Sequence, residues 1–156
     1  MPTRVDCPAC GAPNRLAPNP NGRPRCSACR TTLPWIVDAT SADFDAEVDS
    51  ALPVVVDLWA PWCGPCRTVG PALERIARDN AGSVKLVKVD VDTAPDIAAR
   101  FDARSIPTML VMRRGEVLER LVGALAPPEL TRRITAHLSR PGPTKPPSSS
   151  RGGAAP

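Results

Sequence analysis

The stretch Trp59-Ala60-Pro61-Trp62-Cys63-Gly64-Pro65-Cys66 decides how the rest of the chain is organised. It follows an apolar run at residues 54–58 that is typical of a buried strand, and it precedes residues with helical periodicity. A cysteine pair separated by two residues therefore falls on the turn between a strand and a helix. Unpaired N–H groups and the positive end of the helix dipole can stabilise a thiolate there, which predicts a dithiol redox site.

The residues around this turn predict an alternating α/β fold with a mixed sheet flanked by helices. The pattern is β-α-β-α-β followed by α-β-β-α. The predicted elements are a short edge strand at Ile36 and Val37, a helix starting at residues 40–43, strands at 54–59 and 84–91, a helix at 69–80, a short helix at 95–101, strands at 108–112 and 117–122, and a helix at 129–138 that starts from Pro127 and Pro128.

Disulfide exchange needs an attacking thiolate, a second thiol that resolves the mixed disulfide, and a group that takes the second thiol's proton. Because Cys63 precedes the helix, we expect it to be the attacker and the more exposed of the two sulfurs, with Cys66 shielded one turn inside. Gly64 and Pro65 place no cation beside the pair. A moderately stabilised thiolate favours reduction of disulfides over their introduction.

Two charged residues interrupt the predicted strands. Asp57 lies in the apolar run, where it is either turned to solvent at the strand end or buried with a raised pKa. A buried carboxylate with a raised pKa is a proton acceptor near neutral pH. Lys88 falls within the next strand, and from its position alone it could equally face solvent.

Four further cysteines form two pairs, Cys7 with Cys10 and Cys26 with Cys29, in the spacing Cys-x₂-Cys-x₁₅-Cys-x₂-Cys. This spacing is typical of one structural Zn²⁺ held by four thiolates, without an open coordination position. Iron in the same site, two local disulfides and unpaired thiols are the alternatives. About 30 residues with few large apolar side chains cannot fold on burial alone, so a metal would supply the missing stability.

The residues between and after these pairs predict turns. Residues 12–25 contain four prolines and three asparagines, so we expect a loop there. Gly11 follows the first pair, at a position where a positive φ lets backbone N–H groups turn toward the sulfurs. Arg30 occupies the equivalent position after the second pair and departs from the usual glycine.

Residues 57–66 closely resemble the active site of the thioredoxin family, and Ile106-Pro107-Thr108 and Val122-Gly123-Ala124 match the same family at the expected distances. The resemblance covers about residues 36–138. The four-cysteine segment resembles the zinc-binding extension of the bacterial thioredoxin-2 subgroup. The resemblance implies the thioredoxin fold and an NADPH-dependent thioredoxin reductase that recharges the protein.

The resemblance also implies the role of individual residues. Asp57 would be buried behind the second cysteine, Lys88 would support it, and Pro107 would be cis, leaving the preceding backbone free to pair with an extended substrate. The partners would be proteins that contain disulfides. The residues implied to bind substrate are Trp62, Gly64, Pro65, Ile106, Pro107, Gly123 and Ala124.

Composition divides the chain into a zinc-binding module at 1–33, a thioredoxin domain at 34–139 and a disordered tail at 140–156 rich in Pro, Ser and Gly. No stretch resembles a signal peptide or is long enough to cross a bilayer, so we expect a cytoplasmic protein that binds no membrane. We also expect a monomer. In the cytosol thiols stay reduced, which favours metal binding or catalysis over structural disulfides. No organic cofactor is expected.

A net charge of +4 is weak support for nucleic-acid binding. Two other functions remain open from the sequence. The zinc module could dock a partner or nucleic acid with the larger domain as a carrier, although its basic segment lacks interleaved aromatic residues. Alternatively, its thiolates could sense oxidants by releasing the metal when they are oxidised.

Overall fold

The computed structural model of the protein describes residues 3–138. The predicted tail at 140–156 lies outside the described residues. The elements are β1 (Thr3–Asp6), β2 (Pro13–Leu16), β3 (Trp35–Asp38), α1 (Phe44–Val48), β4 (Val54–Trp59), α2 (Cys66–Asp79), β5 (Lys85–Asp90), α3 (Pro95–Arg100), β6 (Thr108–Arg113), β7 (Glu116–Val122) and α4 (Pro127–Leu138).

Five of these strands form one mixed sheet in the order β3-β5-β4-β6-β7. Strand β4 runs parallel to β5 and antiparallel to β6, and β3 is an edge strand parallel to β5. The predicted order of elements and the predicted edge position of β3 are therefore confirmed. Strand β4 is the middle strand, and all but its last residue are buried, which confirms the prediction from its apolar run.

The two faces of the sheet carry separate apolar cores, because side chains alternate along each strand. Val54, Val56 and Leu58 of β4 join a core with α1 and α3. Val55 joins the opposite core with α2 and α4. Asp57 has the same parity as Val55, so the alternation directs its carboxylate toward the face that α2 covers.

Helix α2 begins at Cys66, three residues before its predicted start. The apolar periodicity starts only at Val69, since the first turn of the helix is exposed except for the cysteine. This earlier start places Cys66 in the helix and leaves Cys63 on the preceding turn. None of the helices in residues 3–138 combines the length and apolar character that a membrane span requires.

The N-terminal segment contains a strand where the sequence predicted a loop. Residues 13–16 form β2, which pairs antiparallel with β1. Asn14 and Leu16 are buried on one face of β2 and alternate with exposed residues, a period-2 pattern that Pro13 and the prolines after the strand obscured. Pro13 is tolerated because it is the first residue of its strand.

This segment packs directly on the larger domain. The side chains of Cys7, Leu16, Cys26 and Leu33 belong to the same buried cluster as Trp35 of β3. The backbone N–H of Ala51 donates a hydrogen bond of 2.8 Å to the carbonyl oxygen of Pro20, and the Arg114 guanidinium donates one of 2.6 Å to Asn21 Oδ1. The four-cysteine segment therefore shares a core with the sheet.

Candidate active site and metal centre

The cysteine pair lies on the turn that joins β4 to α2. Cys63 and Cys66 are joined by a disulfide with their Cα atoms 5.4 Å apart. The Cys63 N–H donates to the carbonyl oxygen of Ala60, and Pro65 is the N-cap residue of α2. The predicted position of the pair, at a strand end and a helix start, is confirmed.

The backbone at the helix start favours negative charge on the sulfur of Cys63. The N–H of Cys66 donates to Cys63 Sγ over 3.2 Å. N–H groups in the first turn of a helix have no partner within the helix, and the helix dipole adds a positive potential there. Both effects stabilise a thiolate on Cys63 once the disulfide is reduced.

The prediction that Cys63 is the more exposed cysteine is wrong in this disulfide-bonded form. The residue exposures are 3% for Cys63 and 7% for Cys66. The reason is that both cysteines pack in one cluster with Trp59, Ala60 and Ile106, which covers Cys63 as well as Cys66. The burial is shallow, because residues 61, 62, 64 and 65 beside the pair are all exposed.

Asp57 is buried next to the second cysteine. It is only 1% exposed and, with Cys66, lines a cavity of about 340 Å³ whose lining does not include Cys63. Desolvation raises the pKa of Asp57 to about 6, although the ammonium of Lys88 lowers it in part and the carboxylate of Glu74 raises it further. Its Oδ1 has no hydrogen-bond partner within the part of the chain described. Of the two arrangements left open for this carboxylate, the structure has the buried one.

Lys88 lies beside Asp57 in the parallel pairing of β4 and β5 and lines the same cavity. Its ammonium is 5.5 Å from the centroid of the Trp59 ring and 3.3 Å from Glu74 Oε1, and 21% of its side chain is exposed. Lys88 is therefore not an ordinary solvent-facing lysine. Glu74 was not predicted from the sequence; it lies eight residues after Cys66, on the side of α2 that faces β5.

An exposed rim surrounds the disulfide. The Trp62 side chain is 68% exposed, and its indole N–H donates a hydrogen bond of 3.1 Å to Asp92 Oδ1. Gly64 and Pro65 are exposed beside it. Asp92, in the turn after β5, was also missed, since a single exposed acid in a loop carries no sequence signal.

The Ile106-Pro107 peptide bond is cis, as the resemblance implied. Ile106 packs against the cysteine pair. Gly123 has φ +93°, a conformation that favours glycine, and its N–H donates a hydrogen bond of 2.9 Å to the carbonyl oxygen of Pro107. Ala124 follows it on the surface. The rim residues predicted from three separate stretches of sequence therefore come from loops at one end of the sheet.

The other four cysteines converge in the N-terminal segment. All four Sγ atoms lie within 4.8 Å of one another. The Cys7 and Cys29 sulfurs are 3.6 Å apart, and so are the Cys10 and Cys26 sulfurs. A tetrahedral ion with metal–sulfur distances of about 2.3 Å needs its sulfurs about 3.8 Å apart. The four side chains are therefore placed as a tetrathiolate site requires: Cys7, Cys10, Cys26 and Cys29.

The two cysteine pairs have the same backbone geometry, despite the departure noted at Arg30. The N–H of Gly11 donates to the carbonyl oxygen of Cys7, and the N–H of Arg30 donates to that of Cys26, over 2.8 and 2.9 Å. Gly11 has φ +76° and Arg30 has φ +68°. The arginine therefore adopts the left-handed conformation that glycine provides in the first pair, at a cost of about 1–2 kcal/mol.

Hydrogen-bond donors surround the sulfurs. The backbone N–H groups of Cys29 and Ala28 lower the pKa of the Cys26 thiol to about 6, although burial opposes them. The Asn14 amide also contributes, donating to Cys26 Sγ over 3.6 Å. Asn14 additionally accepts a hydrogen bond from the N–H of Ser27, so it links β2 to the second cysteine pair. Asn14 lies in β2 and not in the loop predicted for residues 12–25.

Comparisons with known proteins agree with this fold. Residues 35–136 match the family model described as Thioredoxin. Thioredoxin 1 of Nostoc sp. is 43% identical over 100 residues, which are 64% of this chain and 94% of that protein. The thioredoxin of Haemophilus influenzae is 41% identical over 104 residues, covering 66% of this chain and 97% of that protein.

A solved structure, the thioredoxin of Malassezia sympodialis, superposes with a TM-score of 0.62 at 34% identity, covering 67% of this chain and 91% of that chain. The disulfide between Cys63 and Cys66 at the start of α2 is consistent with this family. The chain therefore belongs to the thioredoxin family and is a thiol–disulfide oxidoreductase.

Proposed function

We propose that this protein is a protein-disulfide reductase that acts through Cys63 and Cys66 and is recharged by an NADPH-dependent thioredoxin reductase. The observation that carries the proposal is the asymmetry of the pair. The N–H of Cys66 points at the sulfur of Cys63, while Cys66 alone shares a cavity with the buried carboxylate of Asp57. One sulfur is thereby favoured as a thiolate, and the other lies beside a proton acceptor.

The reaction begins from the reduced protein. The Cys63 thiolate attacks one sulfur of a substrate disulfide, the substrate S–S bond breaks, and the first substrate thiolate leaves and takes up a proton. Asp57 then accepts the proton of the Cys66 thiol. The Cys66 thiolate attacks Cys63 Sγ, forming the Cys63–Cys66 disulfide and releasing the second substrate thiolate. Two electrons pass from the protein to the substrate.

The surrounding groove selects extended segments of protein. Trp62 offers an exposed apolar ring, and Ile106 packs beside the disulfide. The backbone before Pro107 supplies hydrogen-bonding groups for a substrate strand, and Gly123 leaves room because it has no side chain. Gly64 and Pro65 complete the rim without adding charge. Substrates containing disulfides in flexible or partly unfolded segments fit this groove best.

The four-cysteine segment is proposed to hold one structural Zn²⁺, as in the bacterial thioredoxin-2 subgroup. A closed shell of four thiolates leaves no position for substrate, so the metal would stabilise the fold and take no part in the reaction. Cys7, Cys10, Cys26 and Cys29 would be its ligands. The domain boundaries at 33/34 and 139/140, monomeric state and cytoplasmic location remain part of the same proposal.

The reductase activity is tested by insulin reduction with NADPH and thioredoxin reductase as the electron source. The wild-type protein is expected to turn over, and Cys63→Ser is expected to lose activity completely because no attacking thiolate remains. Thr68→Ala, an exposed change in the first turn of the same helix, should retain activity. Equal turnover by Cys63→Ser and wild type would exclude the proposed site.

Asp57→Asn is expected to make the protein more stable and less active at the same time. Folding raises the pKa of Asp57 from 3.8 to about 6, so above pH 6 the folded protein carries an ionised carboxylate at a free-energy cost that the unfolded chain does not have. The shift corresponds to about 3 kcal/mol, which the variant should gain at pH 7 and lose as the pH falls from about 6 to about 4. Urea unfolding at several pH values measures it.

The activity of Asp57→Asn should fall on the order of 100-fold at pH 7, because the resolving thiol has lost its proton acceptor. Asp79→Asn removes an exposed carboxylate from α2 and should change neither quantity. If Asp57→Asn left both the stability and the rate unchanged, the pKa of Asp57 would not be raised by folding and Asp57 would not accept the proton of Cys66.

The metal assignment predicts one zinc ion per chain in the purified protein. Cys26→Ser should lose the metal on dialysis against a chelator and unfold at a lower temperature, since Cys26 belongs to the core shared with β3. Ala28→Ser, in the same turn, should keep both zinc and stability. Elemental analysis and thermal unfolding report the two outcomes, and iron in place of zinc, or disulfides between these cysteines, would contradict the assignment.

A further inference from the structure

The cavity behind Cys66 contains one ammonium group and two carboxylates. Asp57 and Lys88 face it from neighbouring strands, and Glu74 faces it from α2. Asp57 and Lys88 are direct partners in the register of β4 and β5, so they are adjacent on the sheet. A salt bridge between them would be the simplest arrangement for a buried acid.

The structure has a different pairing. The Lys88 ammonium donates a hydrogen bond to Glu74 Oε1 over 3.3 Å, and this pair is half-buried. Asp57 makes no salt bridge within the described range 3–138, and its Oδ1 is both buried and without a hydrogen-bond partner. The helix that carries Cys66 thus also carries the carboxylate that engages the lysine.

The two carboxylates compete for one cation. A cation in contact with a carboxylate favours its ionised form and makes it a weaker base, whereas a nearby negative charge has the opposite effect. The other groups around Asp57 do not alter this balance. Its neighbour on β6 is Met109, and Arg67, which also lines the cavity, is exposed to solvent. Lys88 and Glu74 are therefore the two charges that decide how readily Asp57 takes a proton.

We propose that Glu74 is a positioning residue that holds Lys88 away from Asp57, so that Asp57 stays unpaired and able to accept the proton of Cys66. The inference rests on the proposed function, because it concerns the proton acceptor of the resolving step. It assigns to α2 a second part in the reaction besides carrying Cys66.

The test is the titration of the Asp57 carboxyl, followed by carbon NMR on the oxidised full-length protein. Glu74→Gln releases Lys88, which is then free to pair with Asp57, so the midpoint of the Asp57 titration should fall by about one pH unit. Asp79→Asn, which removes an exposed carboxylate from the same helix, should leave the midpoint unchanged. An unchanged midpoint in Glu74→Gln would overturn the proposal.

A double-mutant cycle separates positioning from direct repulsion between the two carboxylates. In a Lys88→Gln background there is no cation to release, so Glu74→Gln should move the midpoint by less than half as much as in the wild-type background. An equal shift in both backgrounds would mean that Glu74 acts on Asp57 without Lys88, and would overturn the positioning role.

The pH profile of insulin reduction gives a second readout. The acidic limb of the Glu74→Gln profile should move to lower pH by the same amount as the Asp57 titration, an effect that a purely structural role of Glu74 would not produce. The NMR titration does not depend on turnover, so the positioning role of Glu74 and the reductase function are tested independently. An inactive wild-type protein would contradict the reductase function, whereas an active one whose Asp57 midpoint does not respond to Glu74→Gln would contradict the positioning role alone.

Discussion

The burial of one carboxylate in the middle of the sheet is the constraint on which the site depends. Asp57 lies on β4, the middle strand, and the alternation of side chains turns it toward α2. An ionised group there destabilises the fold, yet the same desolvation makes it a proton acceptor near neutral pH. Cys66 at the start of α2 lies beside this acceptor, whereas Cys63 lies outside the cavity at the tip of the helix. The two cysteines differ in chemistry because one of them has the acid behind it.

Local patterns in the sequence predicted most of this arrangement. The apolar run of β4, the cysteine pair on the following turn and the periodicity of α2 are signals that all lie within residues 54–79, and the structure confirms each of them. Features that depend on distant contacts were missed. The burial of Cys63 depends on packing against Ile106, and the partner of Lys88 depends on which face α2 presents to β5. Strand β2 escaped notice because Pro13 and the prolines that follow the strand indicate turns unless the pairing with β1 is known.

The N-terminal segment contains a second set of thiols, whose arrangement suits metal binding and not disulfide exchange. Its four sulfurs converge within 4.8 Å of one another and accept hydrogen bonds from backbone N–H groups such as that of Ala9, so they are suited to hold a cation. The segment also contributes Leu33 and Cys26 to the core beneath β3. The proposed metal site and the edge of the sheet therefore share one core, even though the site lies outside the region matched by the family model.

The assignment of Cys63 as the attacking sulfur and Cys66 as the resolving sulfur is tested most directly by trapping the mixed disulfide. Reduced Cys66→Ser protein is mixed with a peptide disulfide, and the position of the adduct is mapped by mass spectrometry of proteolytic fragments. The account predicts a long-lived adduct on Cys63, because the resolving sulfur is absent, and a much slower reaction of the Cys63→Ser protein. An adduct that forms on Cys66 of Cys63→Ser as fast as on Cys63 of Cys66→Ser would contradict it.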